Sequence, residues 1–194
     1  MANIDEIKQL REETGISVSE CKKALEESGG NFNGAKEILR KKGMELAGKK
    51  SERTASAGII DSYIHPNSRV GVLLEIRSET DFVAKSADFR NLAHEICLQI
   101  AAMKPLFVSE ENIPEEFLNN EKKIYREQLK NSGKPEKIVD QIVEGKIKKY
   151  KENVSLFSQP WVKDNSKTIK DLVNEYVGKI GENIVIKKFS RFEI

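Results

Sequence analysis

RVGVLLEIRSETDFVAK, residues 69–85, combines a β-strand with the turn that follows it. Within residues 69–78 apolar and polar side chains alternate, which is the pattern of a strand with one buried face. The apolar positions are Val70, Val72, Leu74 and Ile76, and the polar positions include Arg69, Glu75 and Arg77. Where the strand ends, Thr80-Asp81-Phe82-Val83 places an acid beside a large aromatic side chain, and a helix is predicted to begin near Asp88.

Phe82 has two possible positions at this junction. It either packs beneath the following helix as part of the core or projects outward to contact a partner. The alternating pattern alone favours the core, because large aromatic side chains are mostly buried. An exposed Phe82 would instead indicate a binding surface, so its position bears directly on function.

The composition is that of a soluble, helix-rich globular protein. Its 194 residues suffice for one medium domain or for a small module and a larger one. Lysine and arginine total 33 against 31 aspartate and glutamate residues, and this near balance argues against a dedicated DNA-binding protein. No apolar run approaches the ~20 residues that a membrane-spanning helix needs.

Two further features favour a cytoplasmic location. Residues 1–10 include Asp5 and Glu6 and lack the apolar segment of a signal peptide, so no secretion or import signal is predicted. Cys21 and Cys97 lie far apart on separate predicted helices, which favours buried thiols over a disulfide and fits a reducing compartment.

Residues 1–44 are predicted to form three short helices. Asn3 and Ser17 have the spacing of N-cap residues for the first two helices. Gly29-Gly30 ends the second helix, because glycine readily adopts the left-handed conformation found at helix ends. The third helix carries an apolar stripe and is predicted to end at Gly43. Three helices of this size bury little surface, so we expect a compact docking module.

Residues 55–194 are predicted to form a core domain. A basic linker at residues 45–54 joins it to the module, although residues 41–53 could also be a frayed helix. Residues 58–65 precede the turn Pro66-Asn67-Ser68 and should pair with the strand described above as an antiparallel hairpin, and residues 184–192 add a candidate third strand. Apolar residues recur at helical spacing in residues 89–103, 124–129, 138–150 and 169–180. The second and third of these helices should form an antiparallel helical hairpin. Strands segregated from helices give an α+β fold.

No residues combine into a catalytic or metal site. His65 and His94 are the only histidines, and neither has a cysteine or a second histidine at metal-ligand spacing. The segment GMELAGK, residues 43–49, matches most of a phosphate-binding loop, but Lys50 stands where a serine or threonine would hold magnesium. We therefore expect no cofactor, no bound metal and no bond-breaking catalysis, which makes a binding protein the stronger hypothesis.

Several motifs together resemble the elongation factor Ts family. LREETG at residues 10–15 and KKAL at residues 22–25 are similar to the opening signature of that family. EIRSETDFVAK at residues 75–85 is similar to its second signature, and QPWVKD at residues 159–164 and GENI at residues 181–184 match in order and place. The resemblance covers essentially the whole chain, and the order of the motifs makes it specific.

The resemblance implies a guanine-nucleotide exchange factor for elongation factor Tu, the GTPase that carries aminoacyl-tRNA to the ribosome. It maps the family's segment for Mg²⁺ displacement in that GTPase onto Thr80, Asp81, Phe82 and Val83. There the phenylalanine is expected to wedge between helices of the partner's nucleotide domain, and the aspartate to disturb the surroundings of Mg²⁺. Phe82 is therefore expected outside the core.

The resemblance also implies how the molecule docks and assembles. The three helices would form a ubiquitin-associated-like module in which Arg11, Val18 and Ser19 occupy the docking positions, although the family commonly has a Met pair where Val18-Ser19 stands. Short members of the family are thought to pair their core domains, so a homodimer is predicted. Its contact surface would be the helical hairpin at residues 121–154 or an open sheet edge. Neither a nucleic acid nor a membrane is expected as a direct partner.

Two other functions stay open. The chain could be an adaptor, with a ubiquitin-associated-like module fused to an unrelated α+β domain, and partner function would then survive the change Phe82→Ala. It could also be a ribosome- or RNA-associated protein that contacts phosphates through residues 36–53 and 146–151. Its binding would then collapse with added salt, because phosphate contacts release counterions.

Overall fold

The computed structural model describes residues 3–130 and 132–194. The chain folds into helices and small antiparallel sheets, which confirms the predicted α+β class. The helices are α1 (Ile4–Thr14), α2 (Val18–Glu27), α3 (Phe32–Lys50), α4 (Asp81–Lys85), α5 (Ala87–Met103), α6 (Glu115–Leu129), α7 (Glu136–Val154) and α8 (Ile169–Ile180). The strands are β1 (Ala57–Ile64), β2 (Val70–Ser78), β3 (Pro160–Trp161), β4 (Asp164–Thr168) and β5 (Ile184–Glu193).

Helices α1, α2 and α3 share an apolar core of their own. Asn3 and Ser17 cap α1 and α2 as predicted, each accepting a backbone N–H of the first turn. Leu10, Cys21 and Leu25 are fully buried between the helices. The three predicted helices are thus confirmed, whereas the likeness to ubiquitin-associated modules stays a prediction.

Helix α3 is longer than the sequence indicated. The predicted helix end at Gly43 is wrong, since α3 continues to Lys50 through the first part of the predicted linker. Gly43 is buried where α3 crosses α8, and Arg40 forms a 3.1 Å salt bridge with Asp171 in the first turn of α8. Because this packing outweighs the roughly 1 kcal/mol cost of a glycine inside a helix, α3 reaches across to the core domain.

The three-stranded sheet confirms the predicted hairpin and the predicted third strand. Its order is β1-β2-β5, and both pairs are antiparallel. One face is apolar and buried, with Val72, Leu74 and Ile76 of the central strand packed in the same core as residues of α5 and α8. The alternation that predicted β2 therefore reflects real burial of one side of the sheet.

The opposite face of this sheet, here called the outer sheet face, carries exposed apolar side chains together with polar ones such as Glu75, Arg77 and Lys188. Ile64 of β1 is paired through Gly71 with Phe192 of β5, so these side chains project from the same face. Ile60 and Leu73 lie on this face as well, by the same register. Four large apolar side chains are thus left in solvent on one side of a small sheet, an arrangement that marks an interaction surface.

Helices α6 and α7 form the predicted helical hairpin. Arg126 of α6 and Asp140 of α7 form a 2.8 Å salt bridge near its tip, and the rings of Phe117 and Tyr150 stack 6.2 Å apart nearer its base. The residue numbers of these pairs increase along α6 while they decrease along α7, which confirms that the two helices are antiparallel. The hairpin packs mainly through α7, where Val143, Ile147 and Val154 are buried.

A short helix and a two-stranded sheet have no counterpart in the sequence predictions. Helix α4 occupies residues where a turn is predicted, and β3 pairs with β4 in a separate two-stranded sheet. Both are too short for hydrophobic periodicity to reveal them. Helix α4 contains most of the Thr80–Val83 segment for which the sequence predicts a contact with a partner.

Candidate functional site

Thr80 begins the short helix that forms the candidate site. Its backbone is extended, and its hydroxyl accepts the N–H of Val83 at 3.4 Å, as an N-cap residue does. Ser86 ends α4 and caps α5 in turn, accepting the N–H of Phe89 at 3.2 Å. The two caps fix α4 as a single helical turn between the end of β2 and the start of α5.

Phe82 projects into solvent from this turn. Its side chain is 88% exposed, whereas Ala84 is buried and Val83 packs against the main core. The core position that pattern alone would give to Phe82 is filled by Phe89 of α5, which is 0% exposed. Phe82 is therefore not a core residue, and the outward position implied by the family resemblance is the observed one.

Asp81 stands beside the exposed ring in the first turn of α4. It is exposed, and it forms no hydrogen bond or salt bridge with any residue in the part of the chain that the structure describes. An acid in this position is compatible with the partial positive charge of a helix N-terminus. Asp81 and Phe82 together thus present one carboxylate and one phenyl ring that the chain itself leaves unused.

Thr80 is anchored by a residue that is distant in the sequence, Glu182. Its backbone N–H donates to one carboxylate oxygen of Glu182 at 3.0 Å, and its hydroxyl donates to the other oxygen at 2.6 Å. Next to this pair, Glu79 accepts the backbone N–H of Asn183 at 2.7 Å. Sequence reasoning assigned Glu182 and Asn183 no role, although they lie within the GENI motif at residues 181–184.

The predicted docking residues lie on a different part of the molecule. Arg11 is exposed in the last turn of α1, and Val18, 50% exposed, is the first residue of α2, followed by the exposed Ser19. Across residues 3–130 and 132–194, no hydrogen bond or salt bridge links these three residues to the Thr80–Val83 segment. The chain thus presents two separate candidate contact regions rather than one continuous site.

The basic residues of the N-terminal helices are largely engaged within the chain. Several of those between residues 36 and 53 bind acidic side chains or a carbonyl oxygen. These pairs are Lys36 with Glu13, Arg40 with Asp171, Lys42 with Glu27, Lys50 with the Gly181 carbonyl and Arg53 with Glu79. Cations held in this way are poorly placed to track phosphates, which weakens the hypothesis of RNA binding through this segment.

The remaining chemically active side chains do not assemble into a site. Nδ1 of His65 lies 2.9 Å from the Tyr63 hydroxyl, and His94 is exposed on α5. Both cysteines are buried, and desolvation raises the pKa of the Cys97 thiol to about 12. Within the described ranges, no group of three or more His, Cys, Asp or Glu side chains is arranged to hold a metal ion.

Two further structural findings concern motifs considered in the sequence. The segment at residues 43–49 lies inside α3, so it is not the strand-to-helix loop that binds phosphate in nucleotide-binding proteins. Of the helices in the described residues, none is both long and apolar enough to cross a membrane.

Known proteins are similar to this chain over its whole length. Residues 17–194 match the family model described as Elongation factor TS. The chain is 53% identical to Elongation factor Ts of Thermotoga petrophila over 192 residues, covering 99% of this chain and 96% of the relative. It is 50% identical to Elongation factor Ts of Caldanaerobacter subterraneus subsp. tengcongensis over 194 residues, covering 100% of this chain and 96% of the relative.

Proposed function

This chain belongs to the elongation factor Ts family of translation factors, which exchange guanine nucleotides on elongation factor Tu, and we propose that it releases GDP by displacing Mg²⁺ in that GTPase. The observation that carries the proposal is the 88% exposure of Phe82, with the unengaged Asp81 beside it. A large aromatic side chain left in water gains free energy when a partner buries it. The chain acts by differential binding to its partner, without covalent chemistry.

The chemistry of the partner's nucleotide site explains why an acid and a phenyl ring suit this task. GTPases hold GDP through the amides of a phosphate loop and through a metal ion that bridges phosphate oxygens. Phe82 inserted between helices near that site would shift the elements that hold the metal. The Asp81 carboxylate would then compete with the phosphates of GDP for Mg²⁺. Once Mg²⁺ has left, the carboxylate would repel the negatively charged phosphates.

Thermodynamic linkage converts this contact into nucleotide release. A factor that binds better to the metal-free, nucleotide-free partner must weaken nucleotide binding by the same ratio. A thousandfold faster release corresponds to about 4 kcal/mol, whereas burying one phenylalanine contributes roughly 1.5–3 kcal/mol. Phe82 alone is therefore insufficient, and a second contact has to supply the remaining binding energy.

We assign that second contact to the N-terminal docking module, residues 1–44, through Arg11, Val18 and Ser19. All three are exposed, and they pair a cation with an apolar side chain and a hydroxyl. A linker is predicted at residues 45–54, but its first part continues α3. A helix therefore connects the module to the core domain at residues 55–194. Such a connection would hold the two contact regions at a set separation.

A homodimer formed through the outer sheet face also belongs to this proposal. Ile60, Ile64, Leu73 and Phe192 are exposed together on that face, and Phe192 is 65% exposed. A two-fold interface uses the same patch on both copies, and four exposed apolar side chains on one sheet face can form such a patch. Two copies paired in this way would form a two-to-two complex with elongation factor Tu in the cytoplasm.

The test is the release of a fluorescent GDP analogue from purified elongation factor Tu. Adding this chain should accelerate release by several orders of magnitude, and moderate salt should leave most of the acceleration in place. An unchanged release rate would exclude the exchange function. Acceleration that collapses between low and moderate salt would favour a phosphate-binding protein instead.

A further inference from the structure

Glu182 holds the segment that carries Phe82, although it lies 102 positions from Thr80 along the chain. We propose that Glu182 is a positioning residue for nucleotide exchange: its carboxylate fixes Thr80, and thereby the direction in which α4 presents Asp81 and Phe82. This inference rests on the proposed exchange function. It gives a role to the GENI motif at residues 181–184, which the function described so far leaves without one.

The contact uses both carboxylate oxygens on a single residue. One oxygen accepts the Thr80 hydroxyl at 2.6 Å, and the other accepts the Thr80 backbone N–H at 3.0 Å. Hydrogen bonds to an ionised acceptor are shorter and stronger than neutral ones, and a paired contact also fixes orientation. The carboxylate therefore restrains both the main chain and the side chain of the residue that caps α4.

Thr80 passes this restraint on to the helix. While its hydroxyl donates to Glu182, the same oxygen accepts the N–H of Val83, and its carbonyl accepts the N–H of Ala84 at 3.2 Å. Five residues are too few for a helix to be stable without outside support. Because Ala84 is the one fully buried side chain of α4, the cap contributes much of what holds the helix in place.

Glu182 is itself held by rigid elements on both sides. Gly181 ends α8 in the left-handed conformation with φ 84°, and Ile184 begins β5 beside the end of β2. A second contact runs in the opposite direction, since Glu79 accepts the backbone N–H of Asn183 at 2.7 Å. Residues 79–80 and 182–183 are thus joined by reciprocal hydrogen bonds, here called the 79–183 contact. The short helix α4 therefore takes its orientation from the sheet and from α8.

The 79–183 contact also includes hydrogen bonds to the segment that follows the docking module. The side-chain amide of Asn183 donates to the carbonyl oxygens of Ser51 and Arg53, at 3.3 and 2.7 Å. Arg53 in turn lies 3.6 Å from a carboxylate oxygen of Glu79. The segment after α3 therefore contacts Asn183 and Glu79, the chain neighbours of the Glu182–Thr80 pair, which relates Phe82 in space to the module that docks.

Exchange kinetics can separate positioning from binding. In the GDP-analogue assay we expect Glu182→Ala to lower the maximal release rate by about 10- to 100-fold, because small misplacements of a reacting group cost roughly that much. The factor concentration that gives half-maximal rate should change by less than about threefold, since the docking residues are untouched. Glu144→Ala, which removes an exposed carboxylate from α7, is the matched control and should retain the parent rate.

Conservative variants test whether the two hydrogen bonds are the cause. Glu182→Gln keeps one acceptor oxygen and should fall between the parent and Glu182→Ala. Thr80→Val removes the hydroxyl at nearly constant shape and should also lower the maximal rate. Combined with Glu182→Ala, it should lower the rate by less than it does in the parent chain, because the contact with Glu182 is already lost and only the cap on Val83 remains to be removed. These variants carry the test even if Glu182→Ala fails to fold.

The outcomes distinguish this inference from the function on which it rests. Suppose that the parent chain accelerates release. If Glu182→Ala and Glu182→Gln then also reach the full maximal rate, the positioning role is wrong. A change confined to the half-maximal concentration would likewise contradict it, since Glu182 would then act in binding. If the parent chain itself has no effect, the exchange function fails first. Faster amide hydrogen exchange confined to residues 79–86 in Glu182→Ala would support the mechanism.

Discussion

Gly178 of α8 lies directly against Gly43 of α3, so closely that a Cβ atom added to Gly178 would stand 3.1 Å from the Cα atom of Gly43. Neither helix can rotate or retreat without losing this crossing, which joins the three N-terminal helices to α8. We expect Gly178→Ala to lower the free energy of unfolding by about 1–3 kcal/mol, the usual cost of overpacking a tight contact. Denaturant unfolding followed by circular dichroism measures it.

Gly145 of α7 provides the matched control for this prediction. It also lies within a helix, but a Cβ atom added there meets nothing within 4 Å. Gly145→Ala should therefore leave stability unchanged or raise it by up to ~1 kcal/mol, because alanine favours the helix. Equal effects of the two substitutions would show that the crossing at Gly43 is not tightly packed.

The positions of two phenylalanines predict opposite effects on stability. Phe82→Ala should change the free energy of unfolding by less than about 0.5 kcal/mol, since an exposed side chain contributes little to folding. Phe89→Ala should cost about 3–5 kcal/mol, because it opens a cavity in the main core. Thermal and denaturant unfolding compare the two. A large loss from Phe82→Ala would mean that the ring packs within its own chain.

The oligomeric state tests the outer sheet face. Phe192→Glu should convert a dimer into monomers, because it removes an apolar side chain worth about 1.5–3 kcal/mol from each copy and places like charges together. Ile124→Glu, on the exposed side of α6, tests the helical hairpin as the alternative surface and should leave the dimer intact. Sedimentation velocity distinguishes them, and the reverse pattern would assign the dimer to the hairpin.

Exchange kinetics test the docking role of Arg11. Arg11→Ala should raise the factor concentration needed for half-maximal GDP release by about 10- to 150-fold, the usual range for losing one charge-assisted hydrogen bond. Its maximal rate should stay close to that of the parent, because Asp81 and Phe82 are unchanged. Lys41→Ala removes an exposed cation from α3 and should match the parent on both measures. A lower maximal rate with Arg11→Ala would contradict a role confined to docking.

Local signals in the sequence predicted much of the fold. Alternation in residues 69–78 predicted β2 and its buried face, and Asn3 and Ser17 marked the starts of α1 and α2 through cap chemistry. Signals of this kind fail where distant packing decides the outcome. Gly43 resembled a helix end, yet its burial against α8 carries α3 onward to Lys50.

The candidate site shows the same division between local and distant causes. Residue pattern alone favoured a buried Phe82, and only the family resemblance indicated that it faces outward. The anchoring of Thr80 by Glu182 joins residues separated by 102 positions, and no periodicity or local spacing encodes such a contact. Helix α4 escaped prediction for a related reason, since one helical turn depends on its caps rather than on a repeated apolar stripe.

The central claim is that Asp81 and Phe82 drive GDP release, and the maximal release rate of a fluorescent GDP analogue from elongation factor Tu tests it most directly. With saturating factor, Phe82→Ala and Asp81→Ala should each lower this rate at least about tenfold, which corresponds to about 1.4 kcal/mol. Leu106→Ala, an exposed apolar residue beyond the far end of α5, should retain the parent rate. Full maximal rates with both site variants would contradict the account.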